Sequence, residues 1–311
     1  MENQSNYIRS LIDEIQIAAG NAGFTGIGYT SIDTSAVSNF QNMKSAFVFA
    51  LPYPAYRVDL PVDPGSGRIA AFASGFNYHE LVKEKLSYII SNISTDISGI
   101  STIHVDDKHI KERYLALKAG IGWIGKNQCL YLPDHGSYVV IGEILTEIQI
   151  PVEPVQQHSR CGSCEKCIKC CPTGALISGG GFIKEKCISY LTQSKGLIPE
   201  DMVKLMDDWV YGCDVCQAVC PYNSGCLEID SKLTLNSIPL IKLLSAKKDD
   251  LKSIDPSNAI SWIGKNNLRR NAIIAAVNKN CAKYMDVIKE LVNDPSYVVS
   301  ETAKNTLARM F

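Results

Sequence analysis

The chain has almost no net charge and no long apolar run. Lys and Arg total 31 against 32 Asp and Glu, a formal net charge of −1. Overall charge therefore gives no reason to expect nucleic acid or an anionic membrane surface, and any basic patch has to be local. No stretch approaches the ~18 consecutive apolar residues of a membrane span. The opening Met1-Glu2-Asn3-Gln4-Ser5 has neither the basic nor the apolar part of a secretory leader. These absences predict a cytoplasmic protein with no membrane partner. In a reducing compartment a disulfide framework is excluded, so the 12 cysteines point to metal ligation or catalysis. A nucleotide phosphate loop is also missing, because Gly125-Lys126-Asn127 lacks the G-x4-G-K-[ST] frame.

The material that is present is globular: 311 residues, 46% hydrophobic and 20% charged. The pattern predicts an α+β fold in three regions. Residues 1–150 read as an α/β domain. Ile8, Leu11, Ile12, Ile15, Ala18 and Ala19 share a helical face, strands are expected at 26–29, 45–51, 102–105 and 138–146, and a helix at 78–93. Pro52, Pro54, Pro61, Pro64, Gly65 and Gly67 mark a loop of about 15 residues. Residues 151–235 hold ten of the cysteines between Pro, Gly and short helices. Residues 236–311 read as helical, with segments at 267–277, 285–292 and 300–310 and Asp294-Pro295 at a turn, resembling one HEAT-like unit.

Cys161, Cys164, Cys167 and Cys171-Pro172 have the C-x2-C-x2-C-x3-C-P spacing of bacterial ferredoxins. There the last cysteine ligates the other cluster of a pair. Three thiolates on one tight loop grip three corners of a cube, and the cysteine before the proline points the other way. Cys213, Cys216 and Cys220-Pro221 repeat the pattern without its middle cysteine. Cross-ligation assigns Cys161, Cys164, Cys167 and Cys220 to one [4Fe–4S] cluster. Cys171, Cys213 and Cys216 hold the other, with Cys187 and Cys226 both open as its fourth ligand. A zinc ribbon needs two separated pairs, not seven cysteines with two Cys-Pro endings. Cys170 is expected to point away from the clusters, and Cys129 and Cys281 to be core cysteines.

Further segments complete a family pattern: Ala119-Gly120-Ile121-Gly122-Trp123-Ile124-Gly125-Lys126-Asn127, Gly136–Thr146, Cys187-Ile188-Ser189-Tyr190-Leu191-Thr192, Tyr211-Gly212-Cys213-Asp214-Val215-Cys216-Gln217 and Leu268-Arg269-Arg270-Asn271-Ala272. Over about residues 75–311 the chain closely resembles the epoxyqueuosine reductases, cobalamin- and iron–sulfur-dependent enzymes of queuosine-tRNA synthesis, related in their cores to reductive dehalogenases. The resemblance implies Cys187 as the eighth ligand. It also implies a base-off cobalamin. In keeping with that, Asp107-Lys108-His109 begins the Asp-x-His-x-x-Gly signature of histidine-ligated cobalt, but Glu112 stands where glycine is required.

By the same resemblance Asp106 is the proton donor, with the raised pKa that a desolvated pocket over the corrin would give it. The plainer reading of Asp106 is a helix N-cap. Leu130, Ile141, Thr192 and Asp214 match positions expected near cobalamin, although Leu130 and Ile141 read equally as core. Arg113 matches a family arginine placed to meet RNA phosphate, and Lys265, Arg269, Arg270, Lys279 and Lys283 concentrate positive charge in the tail, a candidate local patch for tRNA phosphate at the anticodon arm. The implied reaction is reduction of epoxyqueuosine to queuosine, fed by an external low-potential electron donor. Departures from the family at Ala71, Phe72, Asn77 and Asp107 lie on the substrate side. They motivate the alternatives of a small-molecule cobalamin reductase or an electron carrier for a corrinoid partner.

Overall fold

The computed structural model describes residues 2–33, 35–40, 42–55, 62–74, 77–153, 155, 158–226, 237–245, 259–280 and 282–309. Cys281, Met310 and residues 56–61 of the proline-rich loop lie outside the described residues. The chain forms two compact units that alternate along the sequence. One comprises Met1–Tyr53, Tyr78–Cys164 and Tyr222–Cys226; the other comprises Pro54–Asn77, Glu165–Pro221 and Leu227–Phe311. Among the described residues no helix is long and apolar enough to cross a membrane.

The first unit is built on a four-stranded antiparallel sheet in the order Gly26–Ser31, Ser45–Pro52, Val139–Thr146, Ser101–His104. All four strands fall within two residues of the expected bounds. The two inner strands are buried almost throughout, as their near-continuous apolar sequences require, whereas Gly26–Ser31 alternates buried and half-buried as an edge strand does. One face carries Phe47, Phe49 and Ile144. The helix Tyr78–Ser91 packs there through Val82, Leu86 and Ile89. It sits so close that a Cβ on Gly142 would lie 2.5 Å from Val82. On the other face Ala46, Val48, Ala50 and Leu145 pack with Leu115 and Ala116 of the short helix Glu112–Lys118. Directly opposed residues of an antiparallel pair share a face. The register therefore sets Val48, Glu143 and His104 side by side on this second face.

In the second unit the helix Gly264–Asn278 is buried along Leu268, Ala272, Ile273, Ile274, Ala275 and Ala276. An apolar cluster joins Ile274 to Ile188, Leu191, Met202, Val203, Met206 and Trp209. A three-stranded sheet orders Trp209–Tyr211, Ser66–Ile69 and Ser237–Pro239. Met285–Leu291 and Tyr297–Ala308 complete the tail, the latter starting three residues before the expected position. The Asp294 carboxylate accepts the Ser296 N–H at 2.9 Å across that turn, and Ser296 takes the N-cap position of the next helix.

Candidate active site and cluster ligands

Asp106 follows the strand Ser101–His104 in the left-handed backbone region, with φ of 56°. A non-glycine residue there is held by its surroundings. It is not a helix N-cap: the next helix begins at Glu112, with Lys111 at the cap position. Instead, the Asp106 carboxylate accepts the Tyr78 hydroxyl and lies 3.3 Å from His79 Nε2. Its backbone N–H donates to Glu112 Oε1. The expected rise in its pKa is not what the structure gives. The hydrogen bond from His79 and then that from Tyr78 outweigh burial and hold the carboxyl below its ordinary range.

The raised carboxyls are the neighbours. Burial, and after it the charge of Asp106, pushes Glu112 up to about 8. Glu143 is completely buried, and neither carboxyl oxygen has a hydrogen-bond partner among the described residues. Burial, with repulsion from Glu112, Asp106 and Asp107, moves its pKa far upward. Asp107, by contrast, is pinned by the His109 N–H at 2.9 Å and by His104 Nδ1 at 3.0 Å. Asp106, Asp107, Glu112, Arg113 and Gln128 line a cleft of about 700 Å³ together with Ile110, Leu117 and Ile124. Glu112 and Glu143 escaped the sequence reading as acids. The available signal was a lone carboxylate inside the apolar strand Val139–Thr146.

The loop bearing Cys161 and Cys164 is tied down from several sides. The Arg160 guanidinium stacks 4.6 Å from the Trp123 ring centre, and its carbonyl accepts the Tyr222 hydroxyl at 2.9 Å. Lys126 Nζ donates to the carbonyls of Gly162 and Cys164, both at 2.9 Å, and the Lys126 N–H lies 3.4 Å from Cys161 Sγ. Lys126 is thus a brace for a cysteine loop.

In the second unit Cys171 leaves the helix Lys166–Cys170 in an extended conformation, as the following proline demands. Burial works to raise its thiol, but N–H groups of Leu176, Thr173 and Ala175 and the Thr173 hydroxyl outweigh it and lower it. Such a cradle suits a thiolate ligand. Cys187 caps the helix Ile188–Gln193. Burial raises its thiol, with further repulsion from Cys216 and Cys171. Burial raises Cys213 most, with Cys216, Asp214 and Cys187 adding to it. Cys187 therefore lies within electrostatic range of Cys171, Cys213 and Cys216. Cys226 belongs to the first unit, where its thiol donates to the His135 carbonyl at 3.2 Å. Cys170 is exposed, and Cys129 is only half-buried, with its thiol 3.7 Å from the Asn127 carbonyl. Among the described residues no group of three His, Cys, Asp or Glu side chains converges on a single-ion site.

Leu130 and Ile141 pack in the apolar cluster of the first unit. Thr192 is fully buried, its hydroxyl accepting the Gly212 N–H at 2.9 Å. Asp214 is buried and accepts the Ala71 N–H at 2.6 Å. The expected basic patch needs correction. Arg270 is completely buried and donates to the carbonyls of Leu191, Thr192, Ser194 and Gly196. Arg269 pairs with Asp294 at 2.6 Å and Lys279 with Asp208 at 2.9 Å. These charges are spent inside the unit. Lys283 is exposed and Lys265 half-buried, while Arg113 reaches the Gln128 carbonyl at 2.5 Å on the cleft.

Residues 160–223 match the family model of a 4Fe-4S double cluster binding domain. An epoxyqueuosine reductase of Bacillus anthracis is 37% identical over 284 residues, which span 86% of this chain and 73% of the relative. A crystal structure of epoxyqueuosine reductase with an epoxyqueuosine-modified tRNA-Tyr stem loop superposes with a TM-score of 0.84 at 29% identity, covering 97% of this chain and 91% of that one. The Bacillus subtilis enzyme, with its catalytic aspartate loop swung out of the active site, gives a TM-score of 0.81 at 29% identity over 95% of this chain and 89% of its own. With the double-cluster cysteines and this likeness over most of both chains, the chain belongs to the epoxyqueuosine reductase family of oxidoreductases.

Proposed function

We propose that this chain reduces the epoxide of epoxyqueuosine in a tRNA anticodon loop to the alkene of queuosine. The observation that carries the reading is Asp106, held on a left-handed turn at the cleft by Tyr78 and His79 in a chain of this family. Two relatives lend support: one is bound to the modified stem loop, and another has its catalytic aspartate loop swung out of the active site. The reaction takes up two electrons and two protons and releases the oxygen as water. Asp106 hands a proton to the departing oxygen, while Tyr78 and His79 hold its carboxyl in place. An unstacked base in a single-stranded loop is the form of RNA that a pocket can take up. Arg113 on the cleft is a candidate to meet its phosphates, and Lys265 and Lys283 are candidates on the HEAT-like tail.

Cys161, Cys164, Cys167 and Cys220 hold one [4Fe–4S] cluster, and Cys171, Cys187, Cys213 and Cys216 the other. The N–H cradle at Cys171 and the mutual repulsion among the second set of thiols support that assignment. Electrons enter from an external low-potential donor. Bound base-off cobalamin would supply a low-valent, strongly nucleophilic cobalt. The chain fits such a group: His109, the one residue that begins a cobalt-histidine signature, has both ring nitrogens engaged, with Ser38 and Asn39, each at 3.2 Å. The cleft lining offers apolar and hydrogen-bonding side chains but no imidazole or thiol donor. Asp106, Leu130 and Ile141 are the residues of the first unit that would hold it.

Anaerobic reconstitution, metal analysis and turnover of an epoxyqueuosine-bearing anticodon stem loop test this. Eight irons, four in each of two clusters, one cobalamin per chain and conversion to queuosine are expected. A fully loaded protein that leaves the stem loop unchanged overturns the substrate. A four-iron or cobalamin-free protein overturns the electron path.

A further inference from the structure

The acids around Asp106 divide into two kinds. Asp106 and Asp107 receive hydrogen bonds at their carboxyls, the first from Tyr78 and facing His79, the second from the His109 N–H and facing His104. Glu112 accepts the Asp106 N–H, and on its own helix Arg113 stands beside it. Across from it, Glu143 projects from the sheet face on which the helix Glu112–Lys118 rests, fully buried and with both oxygens unpartnered among the described residues. An ionised carboxylate there would cost several kcal/mol, so Glu143 is neutral. Acids this close cannot all ionise. The charge goes where donors are, on Asp106 and Asp107, and a proton stays on Glu112.

We propose that Asp106 and Glu112 act as a carboxyl pair sharing one proton, stored on Glu112 in the open site and passed to Asp106 when substrate fills the cleft. This rests on Asp106 being the proton donor of the proposed reaction. The Asp106 side chain is 54% exposed, so substrate strips water from it far more than from Glu112. Desolvation then favours the neutral form of Asp106. The Glu112 O–H bond breaks and an Asp106 O–H bond forms. Asp106 passes that proton to the epoxide oxygen as its C–O bond breaks and the electron pair stays on oxygen. Glu112 takes a new proton from solvent, and a second passage protonates the resulting hydroxyl as the other C–O bond breaks, so that water leaves and the two electrons taken up complete the C=C bond. The two electrons come from the low-potential donor, so charge and atoms balance. Glu112 is a positioning residue that keeps its neighbour supplied; Asp106 alone touches substrate.

Infrared spectra of the cofactor-loaded enzyme, with and without ¹³C-carboxyl glutamate, are to be recorded from about pH 6 to 10 across the Glu112 range. A neutral glutamic-acid carbonyl band should disappear with a midpoint near 8, shift with the label and be absent from Glu112→Gln. In single turnover, Glu112→Gln, which keeps the acceptor for the Asp106 N–H, should slow deoxygenation about 10- to 100-fold and lose the alkaline limb of the wild-type profile, with stem-loop affinity unchanged. If no neutral-glutamate band of the wild type titrates near pH 8 beside the steady band of Glu143, or if Glu112→Gln keeps both the rate and the alkaline limb, the pair is refuted. The infrared measurement on wild type needs no variant to fold. Asp106→Asn separates the two readings. Full activity of that variant sinks the proton-donor reading itself, whereas an inactive Asp106→Asn beside a normal Glu112→Gln sinks the pair alone.

Discussion

Replacing Arg270 with methionine tests how the tail serves the cluster ligands. The guanidinium donates to Ser194 O at 2.8 Å, Gly196 O at 2.6 Å, Leu191 O at 2.9 Å and Thr192 O at 3.2 Å, and Nε to Asn271 Oδ1 at 3.0 Å. Leu191 O keeps the Ser194 hydroxyl and Thr192 O keeps the Asn271 amide. Ser194 O and Gly196 O are the acceptors that lose most. At about 1–3 kcal/mol for each acceptor left unsatisfied, with the misfit of a shorter side chain added, the loss is about 3–5 kcal/mol. Burial lowers the Arg270 pKa only to about 10, so the charge is present at neutral pH and the loss does not depend on pH there. The consequence reaches a proposed metal ligand, because Leu191, Thr192 and Ser194 lie at the end of the helix that Cys187 caps. Differential scanning calorimetry under anaerobic conditions should show a fall in Tm of about 5–10 °C, together with reduced iron per chain. Arg270→Lys, which keeps one donor group, should recover only part of both. A methionine variant with parental Tm and full iron would refute the bracing role.

Cys187→Ser should cut bound iron toward half while Cys226→Ser leaves it unchanged, since the Cys226 thiol is already donated to the His135 carbonyl; iron analysis and EPR decide. Lys126→Met removes a cation braced on the Cys161–Cys164 loop and should move one cluster to a more negative potential. Coulomb energy of about 1 kcal/mol near a solvated surface corresponds to tens of millivolts for a one-electron couple, measurable by redox titration. Glu143→Gln should be stabilising at pH 8 relative to wild type. The folded-state pKa of Glu143 is raised above its ordinary 4.5, so above that pH the folded protein binds more protons than the unfolded chain and loses stability as pH rises. The variant escapes this, and its Tm advantage should shrink toward pH 5; an advantage independent of pH would refute the assignment.

Much of the local structure was legible from residue pattern. The runs Ser45–Leu51 and Tyr138–Thr146 are apolar enough to be only inner strands, and the tail helices show helical spacing with a turn at Asp294-Pro295. The cysteine spacings are a property of contiguous chain, so cluster chemistry could be read directly. The choice between Cys187 and Cys226 could not, because spacing counts residues and says nothing of which thiols meet; the proposal of Cys187 rests on the family motif. Asp106 was found by motif, but its partners Tyr78 and His79 are 28 and 27 positions away, and their hydrogen bonds reverse the expected direction of its pKa.

The basic tail shows the same limit from the other side. In sequence, Arg269 and Arg270 look like charges awaiting phosphate; folded, one meets Asp294 and the other a ring of carbonyls. Sequence by itself determined what is written in neighbouring residues: strand and helix periodicity, cysteine spacing and the iron–sulfur chemistry that goes with it. Tertiary structure decided which distant groups share a dielectric and a hydrogen bond. That is why the absence of net charge, plain from composition, left open where individual charges lie, and why the proton-holding acids Glu112 and Glu143 emerge only once a helix is laid on a sheet.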